Sequence, residues 1–180
     1  MNLDLRISQA QSGDRQALDG LLRDHIDVIH SACRRVLGNV EDANDATQNA
    51  LINISRGIRR YDGASAFSTW VYRIGMNAAI DIQRHRSRRG TLPLDIDPPV
   101  SHDPYSMVDE RDRVDRLLQA LPEDQRVALT LREVHELDYS QIAAVLEVPI
   151  GTVRSRISRA RATLMELESH SDRPIDGEMT

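Results

Sequence analysis

Lysine is missing from this sequence altogether: all 23 basic residues are arginine. A Walker-type phosphate loop needs a lysine, so ATP-driven work on such a loop is excluded. An absence this complete reads as a genome-wide compositional bias, so the choice of arginine at any one site carries no weight, whereas its placement does. Aromatic residues are scarce too, at 3% of the chain, which leaves small cores to be built mainly from Leu, Ile, Val and Ala. Cysteine occurs once, as Cys33, so no internal disulfide can form. No apolar run approaches the ~20 residues that span a bilayer, and the start lacks the basic-then-apolar pattern of a secretory signal. Together these absences predict a cytoplasmic protein.

What the sequence does hold is helical periodicity. Its 180 residues suit one medium domain or two small ones. Three helices are predicted first: Asp14, a candidate N-cap, to Leu37, with Leu18, Leu21, Leu22, Ile26, Ile29 and Cys33 in step; about Glu41 to Arg60, with Leu51, Ile54 and Ile58 inward; and from between Ser65 and Ser68 to about Arg88, with Phe67, Val71, Ile74, Ala78 and Ile82 inward. Gly38 and Gly63 stand where left-handed backbone would end the first two. On the third, Arg73, Asn77 and Arg84 share a narrow stripe about 120° from the apolar one. From Gly90 to about Asp112 four prolines and several aspartates interrupt all periodicity, which predicts a flexible acidic linker. Helical patterns return from Arg113 to Glu168, ahead of a polar tail over 169–180 expected to be disordered.

The second domain carries the sharpest signal. Val114, Leu117, Leu118 and Leu121 form one helix face that Pro122 stops, and a new helix can start at Glu123, with Val127, Leu129, Leu131 and Val134 as its apolar contacts. Then Ser140 is a candidate cap for a short helix ending near Glu147, and Pro149 fits the first turn of the next, an arrangement with helix-turn-helix spacing. In that last helix Val153, Ile157, Ala160 and Leu164 share one side. Arg154, Ser155, Ser158, Arg159 and Arg161 fan over the other, and no acid falls between Ile150 and Thr163. A solvated helix face ordinarily mixes both signs, whereas an acid-free face suits the major groove, where Arg pairs with guanine edges and Ser or Arg holds phosphate.

These residues also carry a resemblance. The run Tyr139, Ile142, Ala143, Leu146, Pro149, Gly151, Thr152, Val153, Ser155, Arg156, Arg159, Ala160 and Arg161 resembles region 4 of the extracytoplasmic-function (ECF) sigma factors of the sigma-70 family. FSTWVYRIGMNAAIDIQRHRSRR and EDANDATQNALINI are similar to region 2 of the same family, and the likeness runs from Asp14 to Glu168. Four positions depart from the family pattern: Glu147 stands where glycine is usual at the helix-turn-helix turn, Gln141 and Asn49 where acids are common, and Met76 where a polar residue is frequent.

The resemblance implies an all-α chain of two small helical domains: region 2 over 1–89, a linker over 90–112 and region 4 over 113–168. It implies a sigma factor that directs promoter-specific initiation, with no catalytic residue, cofactor or metal of its own. Thr152, Arg154, Ser155, Ser158, Arg159 and Arg161 would then read the minus-35 element as duplex. Ser65, Phe67, Ser68, Arg73, Asn77, Arg84 and Arg88, with Arg86 and Arg89 nearby, would face the minus-ten element and take up a flipped base as the duplex opens. Asp45, Gln48, Asn49 and Arg56 would meet the beta-prime clamp helices of core RNA polymerase, and region 4 the beta flap. An anti-sigma factor is the further partner implied. Taken alone, Phe67 and Trp70 read as core anchors and the polar face of the second helix as solvated surface. The acidic linker would thread the polymerase cleft, and the net charge of -5 would discourage DNA binding outside the two basic faces.

Two other readings compete. His30 and Cys33 at i, i+3 can donate two metal ligands, but structural zinc wants four and no second pair matches, nor is any nucleophile-base pair visible. A stand-alone helix-turn-helix repressor explains the Arg-rich helix equally well. It would need paired half-sites, and it leaves the first domain's resemblance unexplained.

Overall fold

The computed structural model describes residues 2–88 and 107–171, and side chains within that range except those of 87, 88, 107–112, 170 and 171. Most of the expected linker, Arg89, the Arg88 side chain and the tail from 172 onward lie outside the described residues. Among the described residues there are eight α-helices, one 3-10 turn and no strand. They are α1 (Leu3–Gln11), α2 (Arg15–Leu37), α3 (Val40–Gly57), the 3-10 turn Ile58–Arg60, α4 (Phe67–Arg88), α5 (Met107–Gln119), α6 (Glu123–Glu133), α7 (Tyr139–Leu146) and α8 (Ile150–Ser171).

The helix boundaries follow local chemistry. Asp14 accepts from the backbone N–H groups of Gln16 and Ala17 at 2.8 and 3.2 Å and so opens α2. Gly38, at φ 79°, closes it by donating its N–H to the Arg34 carbonyl, in a left-handed conformation that a Cβ would penalise. Asn39 then caps α3 through the Asp42 N–H. Leu21, Ile29 and Val36 of α2, Ile54 of α3 and Val71 and Met76 of α4 are fully buried, each such side chain contributing about 1.5–3 kcal/mol. Ala43, Ala46 and Ala50 line the buried face of α3, and their small size lets α2 and α4 approach closely. In the C-terminal part Ile142 and Val145 of α7, Val127 and Leu131 of α6, and Val153, Ile157 and Ala160 of α8 form the buried layer.

Several expectations need correction. The helix α1 was not foreseen; only Ile7 and Ala10 of it are buried, so it shows almost no apolar stripe. Ile26 and Val114, expected inside, are 39% and 44% exposed. The α5 helix begins at Met107 rather than near Arg113, because helix tolerates the acidic run there, and α8 continues past Glu168 to Ser171. The cap of α7 is Asp138 rather than Ser140: its carboxylate accepts from the Gln141 N–H at 2.8 Å while the Gln141 side chain accepts from the Asp138 N–H at 2.8 Å, a reciprocal capping box. That box gives Gln141 a role that the resemblance had left open.

The largest difference lies between the two helical units. They pack on each other, and the buried residues form a single apolar cluster, with α7 against α4 and α5 and α6 against α2. Tyr72 Oη lies 3.1 Å from His135 Nδ1, and Gln119 Nε2 donates to the Arg35 carbonyl at 2.8 Å. The α4 helix is therefore enclosed on two sides, which is why Met76, outside the predicted stripe, is fully buried.

Candidate nucleic-acid interface

The α8 helix separates its faces as its spacing dictates. Val153, Ile157 and Ala160 are at most 1% exposed, while Arg154, Ser155, Ser158, Arg159 and Arg161 are exposed and Thr152 is half-buried. The arginines are not equivalent, however. Arg156 turns from the fan to an ion pair with Asp124 of α6 at 3.0 Å. Arg161 reaches Glu133, whose carboxylate holds the guanidinium still more firmly protonated than usual. Arg159 folds back to donate to the Ser155 carbonyl at 3.2 Å, and Arg154 leans over the Tyr139 ring, 5.9 Å from its centroid. Arg154 thus leans on a soft cation-π contact while remaining exposed.

Beneath this face, α7 is fixed at both ends. The capping box and a hydrogen bond from Ser140 Oγ hold the Asp138 carboxylate below its ordinary pKa. At the other end Glu147 takes φ 55° and ψ 42°, and its N–H donates to the Ala143 carbonyl. Glutamate therefore occupies the left-handed position where glycine was the expectation, at a cost of about 1–2 kcal/mol.

On α4 the expected minus-ten residues divide. Ser68, Asn77 and Arg84 are exposed, with Arg84 3.9 Å from Asp81. Arg73 is half-covered and its guanidinium lies 3.7 Å from the Glu147 carboxylate of α7. Arg86 is withdrawn from the basic end by an ion pair with Asp42 of α3. Phe67 is only 4% exposed; with Tyr61 and Trp70 it forms an aromatic cluster, its ring edge-on to Tyr61 and to His25. Its ring packs in the core and also lines the cleft above it.

Above Phe67 lies a cleft of about 530 Å³, lined on one side by Tyr61, Asp62, Gly63, Ser65 and Ala66 and on the other by Leu3, Asp4, Ile7, Ser8 and Gln11 of α1. Gln11 Nε2 donates to the Tyr61 and Ile58 carbonyls, and Tyr61 Oη donates to the Ser65 carbonyl at 2.6 Å, which fixes the loop. The contribution of α1 to this wall was missed, since nothing local in its sequence marks it. On α3, Asp45, Gln48, Asn49 and Arg56 share one exposed face. Ile52, 40% exposed among them, was also missed, although an apolar residue at i+7 from Asp45 was a visible signal.

The metal alternative loses its geometry. Cys33 is fully buried, donates weakly to the Gly75 carbonyl at 3.7 Å, and has its thiol pKa pushed up to about 12 by burial. His30 instead bonds Asn44 at 3.0 Å. Among the described residues no three His, Cys, Asp or Glu gather as metal ligands, and no helix is long and apolar enough to cross a membrane.

Comparison with known proteins places this geometry. The family model described as Sigma-70 region 2 matches residues 21–89, and that described as Sigma-70, region 4 matches residues 111–164. The RNA polymerase sigma-H factor of Pseudomonas aeruginosa is 35% identical over 175 residues, covering 88% of this chain and 89% of that protein. The ECF RNA polymerase sigma factor SigM of Mycobacterium tuberculosis is 36% identical over 156 residues, covering 87% and 79%. The ECF RNA polymerase sigma-E factor of Escherichia coli is 35% identical over 173 residues, covering 88% and 90%. Among solved structures, CnrH bound to the cytosolic domain of CnrY matches with a TM-score of 0.73 and 26% identity, over 96% of this chain and 100% of that one. The sigma factor RpoE bound to the anti-sigma factor NepR from Bartonella quintana matches with a TM-score of 0.70 and 26% identity, over 86% and 98%. Both DNA-recognition regions are present in order and the likeness spans most of each relative, so the chain belongs to the ECF sigma factors, specificity subunits of RNA polymerase that are not themselves catalysts.

Proposed function

We propose that this sigma factor reads the minus-35 element as duplex with α8 and opens the minus-ten element against α4 and the loop before it. The observation that carries the reading is the exposed, acid-free fan of Arg154, Ser155, Ser158, Arg159 and Arg161 opposite a fully buried stripe. Phosphate and guanine edges supply acceptors to a face that carries no acid of its own. Thr152, at the first turn, is placed to meet the backbone. For the minus-ten element, Ser65 and Ser68 border the cleft end of α4, Arg73, Asn77 and Arg84 run along the helix, and Arg88 is the next basic residue at that sequence spacing. A cleft of about 530 Å³ has room for a nucleobase. Unstacking costs a few kcal/mol, so a pocket that accepts only an extruded base turns sequence preference into strand opening, with no nucleotide hydrolysis. Phe67 serves as the floor of that pocket rather than as a ring to stack on.

Asp45, Gln48, Asn49 and Arg56, with Ile52 at their centre, form the face offered to the beta-prime clamp helices. Region 4 meets the beta flap, and the protein works in the cytoplasm, where polymerase is. An anti-sigma partner fits too, since two structural neighbours were solved with CnrY and with the anti-sigma factor NepR. The test is transcription by core polymerase on a supercoiled promoter library with the purified chain added. Initiation from one promoter class is expected; repression or silence would instead favour a free-standing repressor.

A further inference from the structure

The cleft above Phe67 is chemically lopsided. No cationic side chain lines it, nor does any residue of α5 to α8. Most of its hydrogen-bond donors are engaged by the protein itself. The Gln11 amide donates to the Ile58 and Tyr61 carbonyls at 3.1 and 2.6 Å, and the Tyr61 hydroxyl to the Ser65 carbonyl at 2.6 Å. Of the side-chain donors on its walls, the hydroxyls of Ser8 and Ser65 are left, and a hydroxyl accepts as readily as it donates.

Acceptors are in surplus, and Asp4 carries one that nothing engages. It stands in the first turn of α1, where its N–H donates to the Asn2 side chain at 3.1 Å, on the wall opposite the loop. Among the described residues its carboxylate has neither a hydrogen bond nor an ion pair, whereas the Asp62 carboxylate already accepts from the Ala64 N–H at 3.0 Å. Its charge is felt inside the cleft: burial first, then Asp4 and Asp62, raise the Tyr61 hydroxyl above its ordinary pKa. An ionised carboxylate only accepts, so it attracts a base edge that carries N–H donors and repels carbonyl oxygens. Cytosine, adenine and guanine each carry an exocyclic amino group that thymine lacks, and a carboxylate accepting from cytosine N4 is a recurring protein–DNA contact. Size does not choose among them, because about 530 Å³ admits a purine or a pyrimidine.

We infer that Asp4 is a specificity-determining residue of the minus-ten pocket: its carboxylate accepts from the exocyclic amino group of the extruded base and disfavours thymine. This role rests on the proposed capture of a flipped base in this cleft. It gives α1, which carries no basic face of its own, a share in choosing the promoter. Asp4 is exposed, so the contact changes affinity by about five- to tenfold, somewhat less than a hydrogen bond to a charged group shielded from water.

The test uses the holoenzyme formed by the full chain and core polymerase, on a bubble template built from a promoter at which it initiates. An abasic residue placed at each unpaired non-template position in turn identifies the captured base as the one whose loss weakens binding most. At that position the amino group alone is then removed, with 2-pyrimidinone in place of cytosine, purine in place of adenine or hypoxanthine in place of guanine. The wild type should lose about five- to tenfold in affinity, and thymine should bind no better than the amine-free base. Asp4→Ala should erase that difference, and Asp4→Asn, whose amide can donate, should bring thymine to within about twofold of the amino base. Circular dichroism and gel filtration with core polymerase check that both variants fold. A flat abasic scan overturns base capture itself, and the role of Asp4 with it. A captured thymine, a captured base indifferent to loss of its amine, or an amine effect that survives both variants overturns the role of Asp4 while base capture stands.

Discussion

Acidification should loosen this structure through one residue, His135. It lies in the turn between α6 and α7, with its ring 5.0 Å from that of Tyr72 and its Nε2 buried without a hydrogen-bond partner. Burial first, and the nearby Arg35 guanidinium second, lower its pKa from 6.5 to about 4. The closed structure therefore binds fewer protons at this site than the unfolded chain does between those two values. The stabilisation is complete above pH 6.5 and is lost progressively as pH falls toward 4. That difference is worth a few kcal/mol at most, about 3, and the ring is only partly enclosed, so solvent screening reduces the effect to about 1–2 kcal/mol. The charged groups around it do not offset this: α2 presents Arg35, α4 presents the neutral Tyr72 hydroxyl, Glu133 is turned to Arg161, and Glu136 is exposed. Urea unfolding followed by circular dichroism at pH 7.5 and pH 5 measures the loss. The loss between those two pH values is a little over half of the whole, so His135→Gln should flatten the difference between them by about 1 kcal/mol. Equal pH sensitivity in the wild type and the variant would refute the reasoning.

Three further outcomes are expected. Ile157→Ala removes a side chain that is 1% exposed between α8 and its neighbours and should destabilise the chain by about 2–5 kcal/mol, read from the urea midpoint at unchanged slope. Gly38→Ala forces a Cβ into left-handed backbone and to within 2.6 Å of the Gln119 side chain; a loss of about 1–2 kcal/mol should be joined by faster exchange of the amides where α2 meets α5. Arg154→Ala should weaken minus-35 duplex binding by about 1–3 kcal/mol without changing affinity for core polymerase, and equal loss of both would remove Arg154 from the recognition face.

The sequence was most legible where the relevant physics is local. Asp14 and Gly38 mark the two ends of α2, and both signals act within one turn of the chain. The stripe Val153, Ile157 and Ala160 is a matter of 3.6-residue spacing, and so is the arginine fan opposite it. Asp138 shows the limit, since Ser140 and Asp138 are both good caps, and the choice turned on Gln141 standing three residues after Asp138 to complete the box. Ile52 could have been noticed, whereas the share of α1 in the cleft could not, because α1 reaches Tyr61 only through chain folding.

Composition and periodicity by themselves determined that this chain is helical, where most of its helices start and stop, and which side of α8 faces outward, because each of those depends on residues within a turn or two of one another. Tertiary structure alone decided which arginines remain available. Arg84 and Arg86 are the same residue two positions apart, yet one stays exposed and the other is bound to Asp42, 44 residues upstream. It also decided that two separately patterned units share one buried cluster, with Glu147 laid against Arg73. Such pairings depend on where the chain brings distant charges and apolar faces together, and a pattern read along a single helix carries no record of what will cover it.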